Sequence, residues 1–317
     1  MLINQSNLSA LFIAFSKQFA DAYAGEPQPL LDKVGSKIAS STRDQRYPFV
    51  QAISGAMRQW TGARQLQNIV VDGFVVTNAK WENSLVIKRE DIEDDQYGVY
   101  SDMLIPQLAR HAKLLPDQQI ASAINSGNST LCFDGKNFFD TTHYIDPQAK
   151  TGSQSNSLST LPLNATSLAK AQQTMMSWKG PDNIPLGSYG NVLLVPPSLK
   201  YVAETLAHAT FYPEAKNNVA GVFGSQSNVW QGQFNVVTSE WLTDSGDPTT
   251  AVWYLLDCRA ASMRPFFWQE RTAPQLISMV DPANPFVFMQ DEYVMGARAR
   301  GAAAGSLWFK ALRVSGA

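Results

Sequence analysis

The chain has 317 residues, of which 44% are hydrophobic and 16% charged, and its formal net charge is −2. This length allows two domains or one elaborate domain with an ample core. A chain so close to neutral has no overall basic field, which argues against tight nucleic-acid binding by counterion release. With Cys132 and Cys258 as its only cysteines, it has neither a disulfide scaffold nor a four-cysteine zinc site. We expect two buried thiols in a reducing compartment.

The N-terminal segment has the apolar spacing of a helix that ends at Gly25. No basic region or A-x-A site marks it as a signal peptide, and the chain has no apolar run of 18 residues that could span a membrane. Two interpretations remain open: a peripheral core helix, or a detachable helix that docks on another subunit or a scaffold. Its apolar residues are Leu8, Leu11, Phe12, Phe15, Phe19 and Tyr23.

The stretch from Arg64 to Gly127 organises the rest of the chain. Residues 26–47 before it predict an extended arm over a surface. Alternating apolar and polar residues then predict a ribbon of two strands roughly 30 Å long, with its tip near residues 77–80. Two strands alone are not stable in water, so the ribbon needs another surface to lie on. The apolar positions are Ile69, Val71, Gly73, Val75, Trp81, Leu85 and Ile87.

A long helix with an acidic start follows the ribbon, over about residues 98–127. Five carboxylates in residues 90–95 precede it, and they predict a favourable helix start with a solvated patch. A calcium or magnesium site is the alternative, but the D-x-D-x-D-G pattern is absent. Pro106 and Pro116 predict a bent or divided helix.

Beyond the helix, the pattern predicts smaller elements in close succession. Asp134-Gly135 lies between apolar runs and predicts a small hairpin, and residues 148–161 predict an exposed loop. Helical and strand patterns then alternate and predict a compact α/β or α+β unit over about 165–272. The tail predicts two further strands.

The sequence contains no recognisable active site. Asp140 and His143 are the closest acid and histidine, and a soluble hydrolase using them is one alternative function. A carbohydrate-binding module using exposed tryptophans is another. Arg298 and Arg300 with Lys310 form a mildly basic C-terminal end that is too sparse for a nucleic-acid site. We expect no catalytic, metal-binding or cofactor-binding residues.

Four stretches resemble one family over most of the chain. They are MLINQSNLSALFIAFSKQF, STRDQRYPF, REDIEDDQYGVY and CFDGKNFFDTTH. Their order and spacing resemble the Mu-like major head subunit, the gpT family of tailed phages and prophages. The resemblance is densest between Ile69 and His143.

This resemblance implies an α+β fold of the Hong Kong 97 type. The implied parts are an N-terminal helix and arm (1–63), an E-loop hairpin (64–97), a P-domain with its spine helix (98–164), an A-domain (165–272) and C-terminal P-domain strands (273–317). It also implies a major capsid protein that self-assembles in the bacterial cytoplasm, through hexamers and pentamers, into the icosahedral shell of the virion.

The resemblance predicts subunit contacts, and so does the apolar face of the ribbon, which needs another surface to pack against. Arm and ribbon are expected to bury their apolar faces against neighbours, with the ribbon over the next subunit's P-domain. Scaffold, decoration and portal proteins are implied partners, packaged DNA is contacted weakly if at all, and no membrane is involved. The candidate contact residues are Phe12, Phe15, Phe19, Val75, Thr77, Asn78, Lys80, Trp81 and Leu85.

Overall fold

The computed structural model is an α+β fold built around two sheets. One sheet has three long strands and one short strand, and the other has five short strands that pack with two helices. The remaining two pairs of strands lie outside these sheets. The structure describes residues 5–50, 71–94, 98–147, 149–215, 223–261, 264–281 and 284–317.

The four-stranded sheet, called the long sheet below, has the order β1-β11-β12-β4. Odd-numbered residues of β12 are buried on its inner face, against helices α1 and α4, while even-numbered residues such as Arg298 point to the outer face. The period of two in this stretch therefore reflects one covered face. Its strands are β1 (Gly35–Ala39), β4 (Ala79–Lys88), β11 (Phe266–Met279) and β12 (Glu292–Gly305); the helices are α1 (Gln5–Gly25) and α4 (Ile105–Asn125).

The second sheet has the order β5-β13-β10-β6-β9, and it carries the larger core cluster together with helices α5 and α6. All four residues of β6 are buried, as expected for an apolar run inside a sheet. The predicted alternation of helices and strands over 165–272 is confirmed by α5 (Ala165–Ser177), β6 (Val192–Val195), α6 (Lys200–His208), β9 (Asn235–Thr238) and β10 (Val252–Leu256). The sheet also contains β13 (Ala311–Ser315) from the tail and the short β5 (Ser157–Leu158), which lies within the predicted loop 148–161.

Two strands cross the predicted domain limits. β11 begins within the predicted A-domain yet belongs to the long sheet, and β13 lies in the predicted C-terminal P-domain segment yet pairs with β10. The limits themselves stay predictions. The other elements are α3 (Arg89–Glu93), α7 (Pro285–Gln290) and two hairpin-like pairs, β2 (Asp44–Val50) with β3 (Val71–Thr77) and β7 (Phe211–Ala215) with β8 (Phe223–Ser227).

The predicted pairing of the ribbon is wrong. β3 pairs antiparallel with β2 of the preceding arm, whereas β4 pairs with β12 inside the long sheet. Residues 77–80 are therefore the base of the β2–β3 ribbon and not its tip. The residues beyond Val50 and before Val71 lie outside the described ranges, and so does the segment 52–62, whose sequence predicts a short, weak helical turn.

Asn78 explains why the chain turns at the ribbon base. Its side-chain amide is buried and donates to Ser40 Oγ (3.0 Å) and to the Thr42 carbonyl (2.8 Å). Its backbone N–H donates to the Arg43 carbonyl at 2.9 Å. These bonds join the β1–β2 connection to the β3–β4 junction, so β3 leaves one sheet and β4 enters another.

The long helix runs undivided through Pro116, contrary to the expected division. Near Pro106 the turn Tyr100–Leu104 is π-helical, and the α-helix begins at Ile105. Pro106 is thus in the first turn, where its missing N–H costs little. Pro116 has no N–H to donate to the Ala112 carbonyl, and the next carbonyl, that of Lys113, accepts a hydrogen bond from the Gln28 side chain.

A one-turn helix in the arm, α2 (Pro29–Lys33), is held at both ends by side chains from distant elements. The buried Asp117 carboxylate of α4 accepts the N–H groups of Leu30 (3.0 Å) and Leu31 (2.9 Å). At the other end, the Arg264 guanidinium donates to the carbonyls of Leu31, Asp32 and Gly35. The negative group at the N-terminus and the positive group at the C-terminus of α2 both interact favourably with the helix dipole. Together they attach the arm to α4 and to the start of β11.

We expect Asp117→Ala to destabilise the unassembled chain by about 2–3 kcal/mol, because two buried N–H groups lose their acceptor. Burial raises the pKa of Asp117 despite the two N–H donors. A raised pKa means that the folded state binds the proton more tightly, so the difference from wild type should grow as the pH falls from 7 towards 4. Urea unfolding at several pH values measures both effects. Asp32→Ala, an exposed change on the same helix, should cost less than about 0.5 kcal/mol at each pH.

Candidate assembly surfaces

The acid within hydrogen-bonding distance of His143 is Asp134, and not the predicted Asp140. His143 Nδ1 lies 2.6 Å from Asp134 Oδ2, at the hairpin turn, and both side chains are fully buried. Asp140 instead accepts from the backbone N–H and the hydroxyl of Thr142, closing its own turn. Those local bonds hold the pKa of Asp140 below its usual value, although burial opposes them. The proposed Asp140–His143 pair is therefore wrong.

The remaining contacts of His143 close it off from any substrate. Its ring stacks on Trp308 at a centroid distance of 4.2 Å, and Nε2 faces Asn156 Oδ1 at 3.1 Å. The Asn156 amide nitrogen donates to backbone carbonyls such as that of Phe138 (2.8 Å), which fixes its oxygen toward the histidine. Both ring nitrogens thus face acceptor oxygens. This cluster joins four chain segments and is structural.

The three predicted contact residues of α1 are buried within the subunit. Phe12, Phe15 and Phe19 pack with Tyr293 and Val287 in the smaller core cluster, and the Phe12 and Tyr293 ring centroids are 6.0 Å apart. The expectation that the arm cannot bury its apolar face within its own chain is therefore wrong for α1. Of the two interpretations, the structure supports the peripheral core helix.

The predicted contact residues around the ribbon divide into exposed and covered groups. Val75 is 57% exposed, and Thr77 and Lys80 are also exposed. Asn78 is buried at the ribbon base, and Trp81 is half-buried on the inner face, where its Nε1 donates to the Gly301 carbonyl at 3.0 Å. Leu85 is also half-buried and packs against the smaller core cluster. Only the exposed group is free to meet another subunit, and its role stays a prediction.

One exposed apolar surface was missed by sequence reasoning. Short helix α7 turns only Val287 into the core, and it leaves Phe288 81% and Met289 73% exposed. Phe286 and, on β11, Met279 are also exposed, and these four residues are called the tip patch below. These four exposed apolar side chains lie within eleven residues of sequence, which makes this segment a candidate interaction surface. The sequence PFVFMQ gives no sign of this exposure, because the same letters suit a core strand.

Comparison with known families decides the class of the protein. The sequence pattern described as "Mu-like prophage major head subunit gpT" matches residues 8–161, 157–242 and 243–316. The chain belongs to this family. As a gpT-family member it is a major head subunit, a structural protein of a phage capsid.

Two named relatives are similar along almost the whole chain. The Mu-like prophage FluMu major head subunit of Haemophilus influenzae (strain ATCC 51907 / DSM 11121 / KW20 / Rd) is 26% identical over 309 residues, which are 98% of this chain and 73% of that protein. The major capsid protein of Escherichia phage Mu is 25% identical over 316 residues, covering 100% of this chain and 76% of that protein.

Solved capsids share the fold of this gpT-family subunit. The procapsid of bacteriophage JBD30 matches with a TM-score of 0.58 and 27% identity, over 99% of this chain and 76% of that chain. The capsid of cyanophage P-SCSP1u matches with a TM-score of 0.52 over 92% and 88%, and at 13% identity it shows the fold alone. The predicted α+β fold of the Hong Kong 97 type is confirmed.

Other predicted features of this gpT-family subunit can be located in the described part of the chain. Cys132 and Cys258 are buried and unpaired, as predicted, and burial raises the pKa of the Cys258 thiol to about 12. Among the described residues, no helix is long and apolar enough to cross a bilayer. Nor do three or more metal-ligating side chains come together there. Four buried tryptophans belong to the core, which leaves the carbohydrate-module interpretation without support: Trp178, Trp253, Trp268 and Trp308.

Proposed function

We propose that this head subunit assembles through hexamers and pentamers into an icosahedral shell, and that the ribbon and the tip patch are its contacts with neighbouring subunits. The exposure of the tip patch carries the proposal, because a folded subunit gains by covering those side chains with another copy. In the shell, the β2–β3 ribbon lies over the neighbouring subunit's predicted P-domain. The exposed Val75 and Thr77 then meet that neighbour.

The proposed shell holds its DNA loosely. With a formal net charge of −2, the subunit lacks the surplus of cations that would bind phosphates tightly along a wall. We further propose assembly in the bacterial cytoplasm, with scaffold, decoration and portal proteins as partners. Minor capsid protein trimers decorate the JBD30 capsid in one solved structure, which supports a decoration partner here.

The direct test is to express the full chain and examine the product by sedimentation and negative-stain electron microscopy. The proposal expects closed particles of megadalton mass. A chain that elutes only as a small oligomer, whatever its concentration, would contradict self-assembly. Co-expression with candidate scaffold proteins then shows whether a helper restores it.

A change in the tip patch should separate folding from assembly. Phe288→Asp should leave the subunit folded, since this side chain is almost wholly exposed, yet reduce the yield of shells by at least about tenfold through a charge buried in the contact. Sedimentation measures the yield, and circular dichroism the fold. Tyr201→Asp on α6 is the matched control, because Tyr201 is 82% exposed but lies outside the patch. Equal yields for the two variants would remove the tip patch from the interface.

A further inference from the structure

The outer face of the long sheet carries three cations without acidic partners. Lys80, Arg298 and Arg300 point outward from β4 and β12, and none of them forms an ion pair with any described residue. These three residues are called the basic stripe. Glu82 is the acid nearest in register, directly opposite Arg298, but it forms no ion pair with a described residue, and its Oε2 accepts a hydrogen bond from Ser84 Oγ at 2.7 Å.

Two observations show that the basic stripe is not satisfied within the subunit. Lys80 lies directly across the strand pair from Arg300, and like charges in that position destabilise a sheet. The Arg300 Nε atom is also buried without a hydrogen-bond partner in the described part of the chain. A stripe that repels itself and leaves a donor unused would gain from an acidic group supplied from outside.

The chain itself carries an acidic element of matching character. On α3, Arg89 is engaged by Glu93 (3.1 Å) and by Asp291 (3.2 Å). Glu90 and Asp94 are exposed and form no ion pair with the described residues. The basic stripe and α3 are therefore complementary in charge.

The α3 of the same subunit is too far away to reach the stripe. Lys80 and Lys88 are at opposite ends of β4, which places α3 about 26 Å along the strand from Lys80 at ~3.3 Å per residue. The neighbour's ribbon is a poorer occupant, since Arg58 and Arg64 are the only charged residues in 51–70 and would repel the stripe.

We propose that the basic stripe is a docking surface for the acidic α3 of a neighbouring copy, with Glu90 and Asp94 facing Lys80 and Arg300. The inference rests on the proposed assembly, and it names a contact distinct from the ribbon and the tip patch. Charge complementarity of this kind sets the partner and the register more than the bulk affinity.

Charge reversal on each side and on both sides tests the contact. Lys80→Glu with Arg300→Glu keeps the repulsion across the strands but reverses the sign presented to a partner. Glu90→Lys with Asp94→Lys reverses α3. Each pair of changes should reduce the yield of shells at least about tenfold, because like charges then meet across the contact. The four changes together should restore the yield to within about twofold of wild type.

The controls separate this inference from the proposed function. Circular dichroism should show each variant folded, and Lys170→Glu with Lys200→Glu, on exposed positions of α5 and α6, should assemble like wild type. If wild type forms shells and the fourfold variant stays as defective as either pair, the α3 contact is wrong while the shell function stands. If either reversal alone leaves the yield unchanged, the contact is also wrong. If wild type itself forms no particles, the proposed function fails first.

Discussion

Replacing residues 51–70 by Asn-Gly should give a folded subunit that forms no shells. Val50 and Val71 are directly opposite each other at the end of the described part of the β2–β3 ribbon, so a two-residue turn can join them directly. The ribbon base stays anchored, because the Tyr47 hydroxyl bonds Gln269 at 2.6 Å and its ring packs on Phe267. The described part of the ribbon therefore stays in place. Sedimentation and negative-stain images measure the result.

The position of this truncation matters. Deleting Thr77 to Glu82, around the tip expected from the sequence, would remove Asn78 and Trp81 and the first four residues of β4. Loss of shells after that deletion would show only that the subunit had unfolded. For the 51–70 replacement, an unchanged thermal unfolding transition together with the absence of particles would support a role of the ribbon in assembly. Closed particles of normal size would show that the ribbon is not needed for assembly.

The ribbon also shows how far sequence reasoning reaches in this fold. Alternation in residues 71–88 predicts strands with one dry face, and the structure contains them as β3 and β4. Alternation does not say which strand is the partner, because pairing is decided by contacts distant in sequence. β4 finds its partner in β12, more than 200 residues later. Because the alternation resets at residues 77–80, the sequence favours a hairpin of β3 with β4, which the structure does not contain.

For the candidate surfaces, too, the sequence predicts the local pattern but not the contacts between distant segments. Periodicity predicts that Phe12, Phe15 and Phe19 share one face of a helix, but not that this face lies on the subunit's own core. Family resemblance predicts the fold, since the spacing of whole motifs carries information that periodicity lacks. It says nothing of Phe288, whose exposure depends on how α7 turns at Asp291, a residue in the left-handed conformation.

The largest stability effect is expected at the buried histidine. His143→Ala should destabilise the unassembled chain by about 3–5 kcal/mol, because it leaves the fully buried Asp134 carboxylate without its partner and removes the ring stacked on Trp308. The cluster lies where the chain passes between the two sheets, since Trp308 stands between β12 and β13. Urea unfolding measures the loss.

A double-mutant cycle identifies the ion pair as the source of that loss. Adding Asp134→Asn to His143→Ala removes the orphaned charge, so the double variant should be more stable than His143→Ala alone by at least about 1 kcal/mol. Asp140→Ala is the matched control, since the Asp140 carboxylate accepts hydrogen bonds from Thr142 within its own turn, and it should cost about 1 kcal/mol or less. If the two single changes simply add, stacking and packing would account for the effect, and the buried pair would contribute nothing specific. If Asp140→Ala proved as costly as His143→Ala, the assignment of Asp134 as the partner would be wrong.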